Sequence, residues 1–383
     1  MKVLIYVHEF PPFQGGIATS AEKIASIISS EHELMVCCPS YSIKSREKKE
    51  SYQIKRINFL GGKNFKKIPL LQYFTGLLNL KKIVHDFQPD KIIYLGEEAE
   101  LVGGMLNVNK AHQIVRVAGS GIEAIIKSNN PLKIISKYLL RKLYQNSKFI
   151  IAVSKNTEKL MANNETYFKK EKIKMIYNGI DDNFLNKKKE LRRRKELGIK
   201  EDDFVLLTVA RLLPRKGQDF VIKALSEINQ PNIKYLCVGE GRFEQQYKEL
   251  ATSLGLKNRV IFAGGIENEK IHEYYDCADI FILCNRTWDS KIEGLPNVVI
   301  ESMARSVPVI GSRDSGTEEL ILDGTTGFLV DPYNIKDINE KITRAYTMKD
   351  RLDKMGESAK IFVKDNFHYE KMRSEYLKLI ANE

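Results

Sequence analysis

Cysteine is scarce and odd in number, with five (Cys37, Cys38, Cys237, Cys277 and Cys284) among 383 residues. Four of them stand in apolar, strand-like runs, so they read as reduced, buried thiols, which argues against a disulfide framework and a zinc site. No apolar stretch approaches the ~18 residues of a membrane span. The chain opens on MKVLIYV, a charged strand-like segment without the basic n-region and small-residue cleavage site of a secretory leader. A cytoplasmic protein is expected. Gly-x-Gly-x-x-Gly, Walker and Gly-x-Ser-x-Gly sequences are absent, and His85, His112, His272 and His368 form no metal-binding spacing. There is no internal repeat and no low-complexity segment. With 43% hydrophobic and 29% charged residues, the chain is too apolar to be disordered.

Positive charge is present and unevenly spread. Of the formal +12, residues 1–183 carry +11 (28 basic, 17 acidic), and the remaining 200 carry +1. One basic half suggests an anionic partner: a phosphorylated substrate, a membrane surface or nucleic acid. A solvated basic surface is the plain alternative.

Short apolar runs alternate with amphipathic stretches along the whole chain. FVLLTVA, IKYLCV, VIF, ADIFILC, VPVIG and FLV form one series, and KVLIYV, LMVCC, QIKRIN, KIIYL, QIVRV and FIIAV another. Strands separated by helices predict parallel sheets covered on both faces. The fold class read here is α/β, with two doubly wound Rossmann-like domains facing across a cleft. The expected boundaries are 1–183 for an amino-terminal domain, 184–203 for a charged linker, 204–364 for a second domain, and 365–383 for a final helix packing back on the first. Ligands of such sheets bind beyond the carboxyl ends of the strands.

Three strand–loop–helix units carry chemistry. After the first strand, His8-Glu9-Phe10-Pro11-Pro12-Phe13-Gln14-Gly15-Gly16-Ile17-Ala18 holds an extended loop whose glycine pair opens a helix, where free N–H groups favour an anion. An ordinary turn is the alternative. Val209 to Asp219 presents Arg211 directly after a strand and Lys216 just before a helix. These are two long cations able to clamp a diphosphate, or plain solvated loop cations. In the third unit, Gly294, Leu295, Pro296 and Asn297 lead into a helix, with Pro296 suited to its first turn. Glu293 precedes this helix and Glu301 lies within it. At ~1.5 Å per residue the pair spans about 12 Å or less, near the reach from a sugar to a ribose across a diphosphate. Glu301 falls among apolar residues, where a carboxylate rarely stands without a partner.

Together these segments resemble the retaining nucleotide-sugar glycosyltransferases of family 4, which have the GT-B fold. EGLPNVVIE matches the Glu-x7-Glu motif, ARLLPRKGQD the diphosphate-binding segment and FPPFQGGIA the amino-terminal loop. Val238-Gly239-Glu240-Gly241, Phe262-Ala263-Gly264, Asn178-Gly179-Ile180-Asp181 and Ser315-Gly316-Thr317-Glu318-Glu319 extend the match over essentially the whole chain. PRKGQD is similar to the phosphatidylinositol mannosyltransferase branch. The resemblance implies a transferase moving a hexose or N-acetylhexosamine, with retention, from a UDP- or GDP-sugar to a glycan or polyprenyl- or lipid-linked acceptor. The setting it implies is surface polysaccharide, lipopolysaccharide or glycolipid assembly.

The same resemblance assigns roles. Arg211, Lys216 and Glu293 would be catalytic, the two cations holding the diphosphate and Glu293 the donor sugar. Glu301 would bind the ribose hydroxyls. The backbone of Gly294, Leu295, Pro296 and Asn297 would approach phosphate and sugar, and Ile266 the base. Gly241, Gly15 and Gly16 would complete the donor site. No cofactor and no metal are expected, because the leaving diphosphate can itself take the acceptor's proton. Many relatives carry a His-Gly-Ser-Asp sequence where this chain has Ala118-Gly119-Ser120-Gly121, so both the His and the Asp are replaced. Ser120 and Glu123 are candidates on the acceptor side.

Residues 131–142 place Lys133, Lys137 and Arg141 four apart on a helical face, with Leu132, Ile135 and Leu139 as insertion candidates. Such a helix suits peripheral attachment to an anionic membrane surface, or is an ordinary amphipathic helix. Nucleic acid is not the expected partner. A basic binding protein without transferase activity would leave the Glu-x7-Glu and Arg/Lys constellations unexplained, and a nucleotide-sugar epimerase of related fold is the enzymatic rival.

Overall fold

The computed structural model describes residues 1–13, 15–40, 51–58, 69–108, 110–118, 120–186, 192–288, 294–313 and 315–382, with the backbone alone at 69–72, 120–122, 132 and 183. The chain divides into two compact units: Met1–Asn178 with Met372–Glu383, and Gly179–Lys371.

The first unit is built on a seven-stranded sheet of β1 (Lys2–Val7), β2 (Glu33–Pro39), β3 (Gln53–Ile57), β4 (Lys91–Leu95), β5 (His112–Val117), β6 (Phe149–Ala152) and β7 (Ile173–Met175). The order is β3-β2-β1-β4-β5-β6-β7 and every pairing is parallel. Both faces of β1 are buried from Val3 to Val7, as a continuous apolar run requires when helices cover both sides. Leu4, Tyr6, Ile92, Tyr94, Val115 and Val117 join one core with residues of the helices Pro69–Phe87, Glu97–Met105 and Ile134–Asn146. The helix Gly16–Ser29 packs on β1 and β2.

This unit buries a carboxyl group. Glu100 is 1% exposed and accepts a hydrogen bond from the Tyr144 hydroxyl. Burial pushes its pKa up to about 8. Because the folded state holds this proton more tightly than the unfolded chain, Glu100 favours folding at low pH. That contribution fades as pH rises from the ordinary carboxylate range through about 8. Urea midpoints of wild type should therefore fall between pH 5 and pH 8.5 more steeply than those of Glu100→Gln, which keeps an acceptor for Tyr144. Parallel pH profiles would refute the assignment.

The second unit carries a six-stranded parallel sheet of β8 (Phe204–Val209), β9 (Ile233–Val238), β10 (Val260–Gly264), β11 (Ile280–Leu283), β12 (Val309–Ser312) and β13 (Gly327–Val330). Its order is β10-β9-β8-β11-β12-β13. The chain moves outward from β8 through β9 to β10, then returns to the other side of β8 at β11. The β8/β11 junction is thus the switch point beyond whose carboxyl ends an open sheet binds ligands.

Two expectations need correction. The described part of the expected charged linker, 184–203, belongs to the second unit. Within it the helix Arg192–Glu196 is tied to the second unit: Arg193 pairs with Glu273, and Arg194 donates to the carbonyls of Cys277 and Asp203 and lies 3.6 Å from Asp279. Charges of this segment make tertiary ion pairs. Secondly, the chain first passes between units at 178/179, before the expected segment 184–203, while its return at 371/372 falls inside the expected final segment 365–383. Residues 372–383 belong to the first unit, where Lys91 donates to the Asn382 carbonyl and Arg373 pairs with Glu31.

Candidate active site

The carboxyl end of β8 runs directly into the Arg211–Lys216 segment. Pro214–Lys216 forms a tight 3-10 turn, and Gly217 then turns the chain into the helix Gln218–Ser226 with φ +78. A Cβ on Gly217 would lie 1.9 Å from the Cys284 carbonyl oxygen, so only glycine lets this turn seat against the end of β11. Arg211 is exposed and Lys216 is 8% exposed. Gly241, following β9, lies against the backbone of Leu212, whose N–H donates to the Glu240 carbonyl (3.0 Å). The cation-bearing segment is therefore held from β9 on one side and β11 on the other. Ile266 follows β10, where Gly265 N–H meets Glu240 Oε1 at 3.3 Å.

Glu293 lies outside the described residues. Gly294, Leu295 and Pro296 are buried and lead into the helix Asn297–Ala304. Pro296 does not occupy the first turn; with φ −78 and ψ 107 it is the extended residue capping a helix that begins at Asn297. Pro296 itself makes no side-chain cap to this helix end. The Gly294 carbonyl rests on Gly316, where a Cβ would come within 1.2 Å, so the Ser315–Glu319 segment forms the floor beneath it. That floor is pinned by Thr317, whose hydroxyl donates to Asn285 Oδ1 (2.8 Å), both side chains being buried.

Four residues into the helix, Glu301 accepts a 2.7 Å hydrogen bond from the Tyr275 hydroxyl. Tyr275 is fully buried, edge-on to Phe184 at 6.1 Å. Burial, and then the charge of Glu301, push its pKa well above the ordinary phenol value, so it remains a donor. The carboxylate expected to have a partner has one. Tyr275 and Asn285 were not singled out from the sequence, because each pairs with a residue 26 or 32 positions away.

In the first unit, Gly15 caps the helix Gly16–Ser29 in extended conformation without a side-chain cap. Ser120 opens the helix Ser120–Ile126, and Glu123, 5% exposed, pairs with Lys127. The basic helix begins later than expected. Lys133 ends a 3-10 turn, its ammonium 3.4 Å from the Ala124 carbonyl, and the helix runs Ile134–Asn146. Its core side is Leu140, Leu143 and Tyr144. Leu139 is half-buried and packs on Gly104, while Ile134 (63%), Ile135 (61%) and Tyr138 (66%) are the exposed apolar residues.

Among the described residues, no group of three or more His, Cys, Asp or Glu side chains is placed to hold a metal ion, and no helix is long and apolar enough to cross a membrane.

Comparison with known proteins decides the family. Residues 14–184 match the model of glycosyltransferase family 4, and residues 189–362 that of the group 1 glycosyl transferases. The chain is a family 4 glycosyltransferase of GT-B fold. It is 26% identical over 394 residues (99% of this chain, 98% of the relative) to the GDP-mannose-dependent alpha-(1-6)-phosphatidylinositol monomannoside mannosyltransferase of Mycolicibacterium smegmatis. It is 25% identical over 322 residues (82% and 78%) to the lipopolysaccharide 1,2-N-acetylglucosaminetransferase of Salmonella typhimurium. Among solved structures, HepE of Anabaena in complex with UDP covers 100% of both chains with a TM-score of 0.80 at 21% identity, a likeness of fold. As a glycosyltransferase of this family, the chain has the six-stranded sheet and glutamate-bearing helix of its second unit in the region matched by the group 1 model.

Proposed function

We propose that this glycosyltransferase transfers a hexose or N-acetylhexosamine, with retention, from a UDP- or GDP-sugar to a glycan or lipid-linked acceptor, on the cytoplasmic side of a membrane. The observation that carries the reading is Glu301. It is a carboxylate in an apolar helix, oriented by a buried tyrosine hydroxyl, on the helix that packs on β11, the strand paired with the β8 that leads into Arg211 and Lys216. In this reading Glu301 takes the ribose hydroxyls, Arg211 and Lys216 the diphosphate, the backbone of Gly294–Asn297 the phosphate and sugar, Ile266 and Gly241 the base side, and Glu293 the sugar. Ser120 and Glu123 serve the acceptor.

The bond from the anomeric carbon to the diphosphate oxygen breaks as the bond to the acceptor oxygen forms on the same face. The acceptor's proton passes to the departing phosphate oxygen, so the step needs neither protein nucleophile nor metal. Two fixed cations stabilise the charge that builds on the leaving group. Activity should accordingly persist in excess chelator.

The two glutamates should separate. A hydrogen bond to a charged group contributes ~1.5–3 kcal/mol, so Glu301→Ala should weaken UDP or GDP binding about 10- to 100-fold. Glu293→Ala should bind nucleotide nearly as wild type and lose turnover. Equal losses of nucleotide affinity in calorimetric titration would contradict these roles.

We further propose that the helix Ile134–Asn146 rests on an anionic membrane, with Ile134, Ile135 and Tyr138 inserted shallowly and Lys133, Lys137 and Arg141 facing headgroups. Each basic residue near such a surface contributes about 1 kcal/mol, lost with screening. Sedimentation with phosphatidylglycerol vesicles should show binding that salt weakens, and that Lys133→Glu, Lys137→Glu and Arg141→Glu together abolish. Indifference to these vesicles at low salt would make a soluble acceptor the better reading.

A further inference from the structure

We propose that Arg286, paired with Asp219, is a positioning residue that holds the Pro214–Lys216 turn for diphosphate binding; this rests on the reading of Lys216 given above. Arg286 emerges just past the carboxyl end of β11, at the switch point with β8. Its guanidinium Nη2 donates to the Pro214 carbonyl at 2.7 Å and to both Asp219 carboxylate oxygens at 2.7 and 3.0 Å. Its backbone N–H donates to the Arg215 carbonyl at 2.8 Å. The guanidinium lies over the Phe220 ring, 3.9 Å from its centre. Through side chain and backbone together, Arg286 thus grips the two residues before Lys216, the first turn of the helix after it and the Phe220 ring.

The pair is shielded, the side chains being 10% and 20% exposed, so its attraction is less screened than that of a surface ion pair. Asp219 also lies in the first turn of the helix Gln218–Ser226, where a negative charge is favoured. Lysine in place of Arg286 would keep the charge but not the planar guanidinium that lies over the Phe220 ring. The clamp closes on the turn from the β11 side, where Gly217 already meets Cys284. Its effect on ligand therefore runs through the cation that the turn carries.

A double-mutant cycle tests this. UDP and GDP are titrated calorimetrically, and the one that wild type binds more tightly is used throughout. Arg286→Gln, and separately Asp219→Asn, should weaken its binding about 10-fold while Lys216 is present, and less than about 2-fold in a Lys216→Ala background. Should Arg286→Gln fail to fold, Asp219→Asn carries the same cycle. If Lys216→Ala weakens binding but the clamp substitutions cost the same in both backgrounds, or cost nothing, the clamp is structural and the proposal falls alone. Wild-type-like binding by Lys216→Ala would instead overturn the diphosphate reading, and the clamp's role with it.

Discussion

Replacing Lys216 with alanine, or Arg211 with alanine, should lower donor turnover by at least ~10²-fold, as loss of a preorganised charge stabiliser does elsewhere. Backbone contacts set both cations in place. Gly217 seats the turn against β11, Leu212 bonds to the β9 loop, and the two cations follow a strand end at the switch point. In a site of lowered dielectric, charge developing on a leaving diphosphate interacts with fixed cations far more strongly than in water. Arg211 is exposed, so its removal should leave the unfolding midpoint close to that of wild type. The check is single-turnover kinetics with the preferred nucleotide sugar, alongside urea unfolding. Wild-type turnover in a folded Lys216→Ala variant would remove the assignment of the diphosphate.

The second large effect is on stability. Arg305 and Asp276 form a buried ion pair, 2% and 0% exposed, with paired hydrogen bonds at 2.9 and 2.8 Å. Arg305 also lies 3.2 Å from the Phe184 carbonyl. Asp276 stands at the end of the helix that supplies Tyr275, and Arg305 at the end of the helix that supplies Glu301. Removing either partner strands the other charge, at a cost of about 3–5 kcal/mol. Arg305→Ala should therefore unfold at much lower urea. Trp288, the chain's one tryptophan, lies in this unit and reports the transition. Arg305→Met with Asp276→Leu should recover most of the loss, because neither charge is then left alone. A deficit below about 1 kcal/mol in Arg305→Ala would show that water reaches the pair.

What the sequence displayed and what it hid divide along physical lines. Buried parallel strands are continuous apolar runs, so FVLLTV and IKYLCV could be read directly. Ile173–Met175 could not, being three residues with none buried. The glycine-bearing turns and the Glu301 helix were legible because glycine, proline and a carboxylate among apolar residues each break a local rule. Their supports were not legible. Tyr275, Arg286, Asn285 and Asp276 act on residues 26 to 72 positions away. Charge misled in the same way: Arg193 and Arg194 look solvated in a run of like neighbours, yet pair with Glu273 and Asp279. In the helix Ile134–Asn146 more apolar residues are present than one face can bury. Periodicity alone did not show that Leu140, Leu143 and Tyr144 turn inward while Ile134, Ile135 and Tyr138 stay exposed.

The most direct test of the donor assignment pairs a ligand change with a protein change. Calorimetry compares the preferred nucleoside diphosphate with its 2′,3′-dideoxy analogue, in wild type and in Glu301→Ala. If Glu301 holds the ribose, deleting the hydroxyls should cost wild type about 10-fold or more and cost the variant almost nothing. An equal penalty in both proteins would contradict the account, because the hydroxyls would then be bound by something other than Glu301.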